Sequence, residues 1–192
     1  MNSNLAYQAE DIREELIGGR VAAMSPRPAV NHHLISENII FIFKQYLKGK
    51  KCTPFGDGVD LYLNEKNRFV PDGMIVCDRD KIKWDGVHGA PDLVWEILSP
   101  STMKNDRWYK KNVYAACGVP EYWIVDPKGQ SVEVYLLQNG EYVLDSVCAN
   151  VSQEYLERLD EKDRAEVPAE IRCHLYDDLI IRPEDIFYDL LN

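Results

Sequence analysis

One aspartate, one glutamate and one lysine stand out in this chain. Pro71-Asp72 opens one apolar stretch, Glu96 closes another, and Lys110 follows on a predicted helix. Strand alternation puts Val70, Asp72, Met74 and Val76 on one face, and Asp92, Val94, Glu96 and Leu98 on one face of the later strand. Asp72 and Glu96 are thus carboxylates on otherwise apolar strands. A buried carboxylate is costly unless a cation, a donor network or a metal partners it. Two carboxylates from neighbouring strands match what Mg²⁺ or Mn²⁺ accepts, a few hard oxygen ligands completed by water and phosphate. Lys110 shares a helical face with Asp106, Val113, Tyr114 and Cys117, and from there it could orient a water or offset charge in a phosphoryl transition state.

The same residues have structural readings that spacing leaves open. Asp72 could cap a turn after Pro71, and Glu96 could pair with an arginine. Asp106 and Lys110 could be a simple i,i+4 pair contributing about 0.3–0.5 kcal/mol.

The elements that must hold these residues follow from the pattern. Glu10–Ile17 reads as a short helix broken by Gly18-Gly19, followed by a strand over Val21–Met24 and a loop at Ser25-Pro26-Arg27-Pro28. Apolar spacing predicts a helix over Asn31–Leu47. Strands are expected at Val59–Leu63, Phe69–Val76 and Leu93–Leu98, with a loop over Asp78–Ala90. Ser99-Pro100 starts a helix that ends at Gly118, a good C′ residue. Tyr122–Val125 is a short buried strand, and Val132–Leu137 with Tyr142–Val147 form a hairpin around Asn139-Gly140. Gln153–Asp163 is charged and helical or irregular, Leu179–Ile181 adds a strand, and Pro183–Leu191 closes as a helix. The order describes one mixed α/β domain over Met1–Asn192, a length that buries a single core.

Composition narrows the chemistry. The net charge of −10 argues against a broad basic surface for nonspecific nucleic-acid binding, although Lys44–Lys51 and Lys104–Lys111 are locally basic. The 11 tyrosines and 4 tryptophans are read as lacking the basic interleaving of a base-stacking platform. Five scattered cysteines without a Cys-x-x-Cys spacing indicate a reduced, cytoplasmic protein with no thiolate zinc site. No secretory signal or membrane-spanning stretch is expected. There is no phosphate-binding glycine loop and no Ser-His-Asp or Cys-His arrangement of interpretable spacing. His88 and His174 are isolated, Trp123 is assigned to the core, and Asp126 to a turn.

Pro71-Asp72, Ala90-Pro-Asp-Leu-Val-Trp-Glu96-Ile-Leu-Ser-Pro-Ser-Thr102, Asp106-x-x-x-Lys110-x-x-x-Tyr114 and Gly118-Val-Pro-Glu-Tyr-Trp-Ile-Val-Asp-Pro127 together resemble the Uma-two family. Fainter likeness extends to Met24–Pro28, His32 and Asp185-Ile-Phe187. The resemblance implies a restriction-endonuclease-like fold, a mixed central sheet flanked by helices, within the PD-(D/E)XK superfamily. It implies a Mg²⁺- or Mn²⁺-dependent DNA endonuclease with Asp72 and Glu96 as metal ligands and Lys110 as the active-site lysine. The superfamily lysine two residues after the glutamate is absent, because Leu98 stands there, and Lys110 on the next helix takes its place. Lys111 is the neighbouring alternative, about 100° around the helix. Pro91-Asp92 is assigned to the strand start. An acid on the first helix would suit Glu37, and His32 fits the family pattern, while His33 and Glu37 read equally as a surface pair. A homodimer is expected by analogy with nucleases that cut two strands. A non-catalytic module that keeps the fold to bind nucleic acid or protein is the competing reading.

Overall fold

The computed structural model describes residues 14–23 and 29–191. The first element reverses an expectation. Glu14–Ile17 is a strand (β1), not the end of a helix, and it turns through Gly18-Gly19 into β2 (Arg20–Ala23). Both glycines have positive φ, 60° and 79°, which a tight hairpin turn requires. Residues 10–13 of the expected helix, Met24 and the Ser25–Pro28 loop lie outside the described residues.

Helix α1 (Val30–Tyr46) forms where the apolar spacing predicts one and buries Ile35, Ile39, Ile40 and Phe43, while Phe41 is exposed. Then come β3 (Thr53–Gly56), β4 (Leu61–Asn64), β5 (Asn67–Phe69) and β6 (Gly73–Val76). The single strand expected over Phe69–Val76 is therefore two, separated at Pro71-Asp72, where proline cannot donate to a ladder. The expected loop Asp78–Ala90 contains a 3₁₀ turn (Arg79–Lys81) and a small hairpin of β7 (Ile82–Lys83) and β8 (Gly86–His88). Beyond it lie β9 (Leu93–Ile97), a π-helical turn (Asn105–Lys110), α2 (Lys111–Ala116) and β10 (Glu121–Asp126). Gly118, at φ 83°, ends the helix as expected.

The hairpin of β11 (Ser131–Gln138) and β12 (Glu141–Ala149) turns on Asn139-Gly140, both at positive φ. The tail holds α3 (Gln153–Arg158), α4 (Glu161–Ala165), β13 (Ile171–Arg172), β14 (Ile180–Ile181) and α5 (Pro183–Ile186). The closing helix is one turn rather than the expected run to Leu191.

Six strands form the central mixed sheet in the order β12-β11-β10-β9-β6-β3, parallel only between β9 and β10. One face packs α1, α5 and the β13–β14 pair over Trp95, Trp123 and Val125. The other face packs α2 and a second sheet, β2-β1-β5-β4-β8-β7, over Met74, Val94, Tyr122 and Ile124. Gly73 pairs with Trp95 across β6 and β9, and a Cβ there would fall 1.9 Å from the indole. The step from Asp72 into β6 thus needs glycine for steric reasons.

The cysteines do not all stay reduced. Register places Thr53 opposite Val76, so Cys52 and Cys77 face each other one step on, with Cα atoms 3.9 Å apart, and are joined as a disulfide. Cys117, Cys148 and Cys173 are free thiols. The expectation of a fully reduced set is corrected by a cross-strand proximity that separation in sequence hides. No helix among the described residues is long and apolar enough to cross a membrane.

Candidate active site

The antiparallel pairing of β6 with β9 brings Asp72, just before β6, beside the end of β9, where Glu96 lies. Asp72 Oδ2 accepts a hydrogen bond from the Ile97 backbone N–H at 2.6 Å, which fixes the carboxylate against the neighbouring strand. Its other oxygen, Oδ1, lies 3.3 Å from His32 Nε2 in the first turn of α1. Glu96 lies in the core between the sheet and the helix and is 3% exposed. There Glu96 Oε1 accepts from Lys110 Nζ at 3.1 Å and from Tyr114 Oη at 2.7 Å.

Lys110 is held by three carboxylates. Its ammonium lies 2.9 Å from Glu15 Oε1, 3.1 Å from Glu96 Oε1 and 3.8 Å from Asp106 Oδ1. Glu15 Oε1 also accepts from the Val70 N–H at 3.0 Å, which ties β1 to the Pro71-Asp72 corner. Asp106 Oδ1 is buried without a hydrogen-bond partner, and Tyr122 Oη donates to the Asp106 carbonyl at 3.0 Å. The segment carrying Asp106 and Lys110 is π-helical, a geometry that recurs at functional sites.

The charge balance of this buried group is unusual. Burial lowers the Lys110 pKa, but Glu96, Glu15 and Asp106 together outweigh it and hold the ammonium charged. One lysine cannot satisfy all its neighbours. Burial, with Asp106, Asp72 and Glu15 around it, pushes Glu96 well above the ordinary carboxylate range despite Lys110. Asp106 is raised to about 6, first by burial, against the pull of Lys110 and a Thr102 hydrogen bond. Burial also disfavours charge on His32. The hydrogen bond and charge of Asp72, helped by Asp57 and the Ile97 backbone, more than offset this and raise the imidazole above its usual value. Burial, with the charge and hydrogen bond of Glu96 added, keeps the Tyr114 phenol neutral.

Of the residues singled out from spacing, Glu96 and Lys110 are in direct contact, and Asp72, at the facing position across β6–β9, acts on Glu96 through its charge. Glu96 pairs with a lysine rather than an arginine, and Asp72 braces Ile97 rather than capping its own turn. Lys111 points elsewhere, its ammonium 3.3 Å over the Tyr135 ring. Asp92 accepts from the Cys77 N–H at 2.7 Å and Asp126 from the Lys128 N–H at 2.9 Å, so both are structural. Glu37 lies on the exposed face of α1. The acid that reaches the lysine is Glu15, which the helical reading of 10–17 concealed. Tyr114 and His32 complete the group.

Asp72 and Glu96 offer the oxygen donors a hard divalent cation takes. Among the described residues no three His, Cys, Asp or Glu side chains converge to hold an ion unaided. That donor set fits Mg²⁺, which keeps several waters and commonly uses one or two carboxylates. The buried excess of negative charge fits it as well.

A mixed sheet with acids meeting at the β6–β9 junction and a lysine on the following helix defines a restriction-endonuclease-like protein. A family model described as "Uma2: Putative restriction endonuclease" matches residues 3–168, and the chain belongs to that family. A crystal structure of a "putative nuclease belonging to DUF820" from Anabaena variabilis is similar, with a TM-score of 0.61 and 21% identity over 91% of this chain and 89% of that one. An "Uncharacterized protein slr1290" from Synechocystis sp. is 29% identical over 125 residues, 64% of this chain. The match spans 65% of that relative's length, just under two thirds.

Proposed function

We propose that the chain is a Mg²⁺- or Mn²⁺-dependent DNA endonuclease that hydrolyses phosphodiester bonds at the Asp72–Glu96–Lys110 cluster. The observation that supports this most is the charge imbalance. Glu15, Glu96 and Asp106 surround a single lysine, and burial, with the charges of Asp106, Asp72 and Glu15 added, pushes Glu96 toward its neutral form despite Lys110. Asp72 and Glu96 would hold the cation, which supplies Lewis-acid activation of the scissile phosphate and stabilises charge on its oxygens.

The chain's own residues do the rest. The Ile97 N–H orients Asp72, and Tyr114 Oη and Lys110 Nζ orient Glu96. Lys110 keeps its proton, so it acts as a fixed positive charge and hydrogen-bond donor toward water or phosphate, not as a base. Glu15 and Asp106 set where that ammonium sits. A homodimer that pairs two such sites remains a proposal, tested by light scattering.

Purified protein with supercoiled plasmid and Mn²⁺ is expected to nick the DNA, and Asp72→Ala and Glu96→Ala are each expected to abolish nicking. Nicking that survives both substitutions overturns the assignment of the site. Absence of both nicking and calorimetric Mn²⁺ binding would leave a non-catalytic module that binds nucleic acid or protein.

A further inference from the structure

The helix that carries Lys110 has a second face. Its inner side is the buried acid–lysine cluster. Its outer side exposes Trp108, 72% accessible, in a segment that reads Lys104-Asn-Asp-Arg-Trp-Tyr-Lys-Lys111. The one acid in the segment, Asp106, is buried on the inner side, so the outer face presents Lys104, Arg107 and Lys111 around the indole. Three- and four-residue spacings place Lys104 and Lys111 beside Trp108. This corrects the reading that the aromatic residues lack basic interleaving.

Two of the three cations are braced. Arg107 forms a bidentate pair with Glu133, at 2.8 and 3.0 Å, and feels Asp126 at longer range. Lys111 rests over the Tyr135 ring, with its charge disfavoured first by burial. In a chain of net charge −10, a basic face on the helix that lines the reaction site is a local exception.

We infer that this outer face seats an unpaired stretch of the nucleic-acid substrate, with one base stacked on Trp108 and the flanking phosphates against Lys104, Arg107 and Lys111. The inference rests on the nuclease reading only for the identity of the strand that continues into the cluster. Three features favour this occupant. Trp95 and Trp123 are fully buried, so the fold does not need Trp108 outside for packing. Exposed Lys104 adds positive charge beside the ring, and Arg107 stays part-exposed while paired with Glu133. The face is carried by the same helical segment as Asp106 and Lys110. Base–aromatic stacking does not depend on sequence and demands an accessible ring face, which a duplex interior does not offer.

Trp84 provides an internal control. It is 98% exposed at the β7–β8 turn, between Lys83 and Asp85. The test uses fluorescence anisotropy of a labelled single-stranded oligonucleotide and of the same sequence as a duplex, with EDTA present to prevent turnover. Trp108→Ala is expected to weaken single-strand binding by about tenfold or more and duplex binding far less, with Trp108→Phe recovering most of the loss. Trp84→Ala is expected to bind like the wild type. Lys104→Glu is expected to weaken both ligands and to flatten the salt dependence.

Unchanged single-strand binding by Trp108→Ala overturns the inference, and so does an equal loss in Trp84→Ala. The two readings fail separately. If the binding pattern appears without plasmid nicking, the nuclease reading falls and the seat stands. If nicking depends on Asp72 and Glu96 while Trp108→Ala binds normally, the seat falls alone.

Discussion

The two faces of the central sheet are equally buried and chemically opposite. On the α1 side, Phe43 stacks on Trp95 with ring centroids 5.5 Å apart and lies 5.7 Å from Trp123, in a core of aliphatic and aromatic side chains. On the α2 side, Phe69 meets Tyr114 edge-on and Tyr114 meets Tyr122 at a tilt, and Glu15, Glu96, Asp106 and Lys110 are set among them. One face accounts for stability. The other places ionisable groups where water would otherwise screen them, which costs free energy and strengthens every field in the site. A buried ion pair is weak evidence for stability, so a cluster with more acids than bases points to chemistry rather than to folding.

The largest effect is expected from removing Lys110, the cation shared by the buried acids of the polar face. Lys110→Ala leaves Glu15, Glu96 and Asp106 without their shared partner. It is expected to destabilise the protein by about 3–5 kcal/mol and to reduce nicking by at least about 100-fold. Chemical denaturation and plasmid assays read the two effects, and a variant with normal stability would show that the cluster is solvated rather than buried. On the apolar face, Gly73→Ala drives a methyl group into Trp95 and is expected to cost about 3 kcal/mol. Metal binding by whatever variant remains folded separates this packing loss from damage to Asp72 next to it.

Much of this contrast was legible in the sequence. Alternation along Leu93–Ile97 put Glu96 opposite Trp95, and helical spacing joined Asp106, Lys110 and Tyr114, because both signals are local. Glu15 was not legible. Its four-residue strand is set by pairing with residues 20–23 and with Arg68, and short segments take their conformation from such partners. The Cys52–Cys77 bond was hidden for the same reason, since only the β3–β6 register brings the two together. The Pro71-Asp72 break was visible as a motif but not as a break, because the apolar run continues through it. His32 was noted by its place in the pattern, and its contact with Asp72 needed α1 to be docked on the sheet.

Asp106 makes the stability of the polar face depend on pH. Its folded-state pKa is raised from 3.8 to about 6, so between those values the folded chain binds more protons than the unfolded chain. The contribution of Asp106 to stability is therefore greatest below about pH 4, falls as pH rises through about 6, and is level above that. Asp106→Asn removes that decline. Relative to wild type, the variant is expected to gain about 2 kcal/mol on going from pH 4 to pH 7.5, measured by urea denaturation at both. Parallel pH profiles for the two proteins would mean that Asp106 ionises freely.

The smallest effect is expected where the apolar face has a carboxylate of its own. Glu121, 2% exposed, accepts from Trp123 Nε1 at 2.7 Å and from the His174 N–H at 3.3 Å, and so anchors the tail beneath the sheet. Burial raises its pKa and the donors around it lower it, with burial the stronger. Its role is geometric, since an acceptor oxygen is what Trp123 and His174 require. Glu121→Gln retains that oxygen and removes a charge the site disfavours, so the change in stability should stay within about 1 kcal/mol at neutral pH. Nicking should be unaffected. The same substitution at Glu96, with nearly the same change in shape, should abolish nicking. If Glu121→Gln abolished it too, the division of labour between the two faces would fail, because the same atoms would serve chemistry on both sides of the sheet.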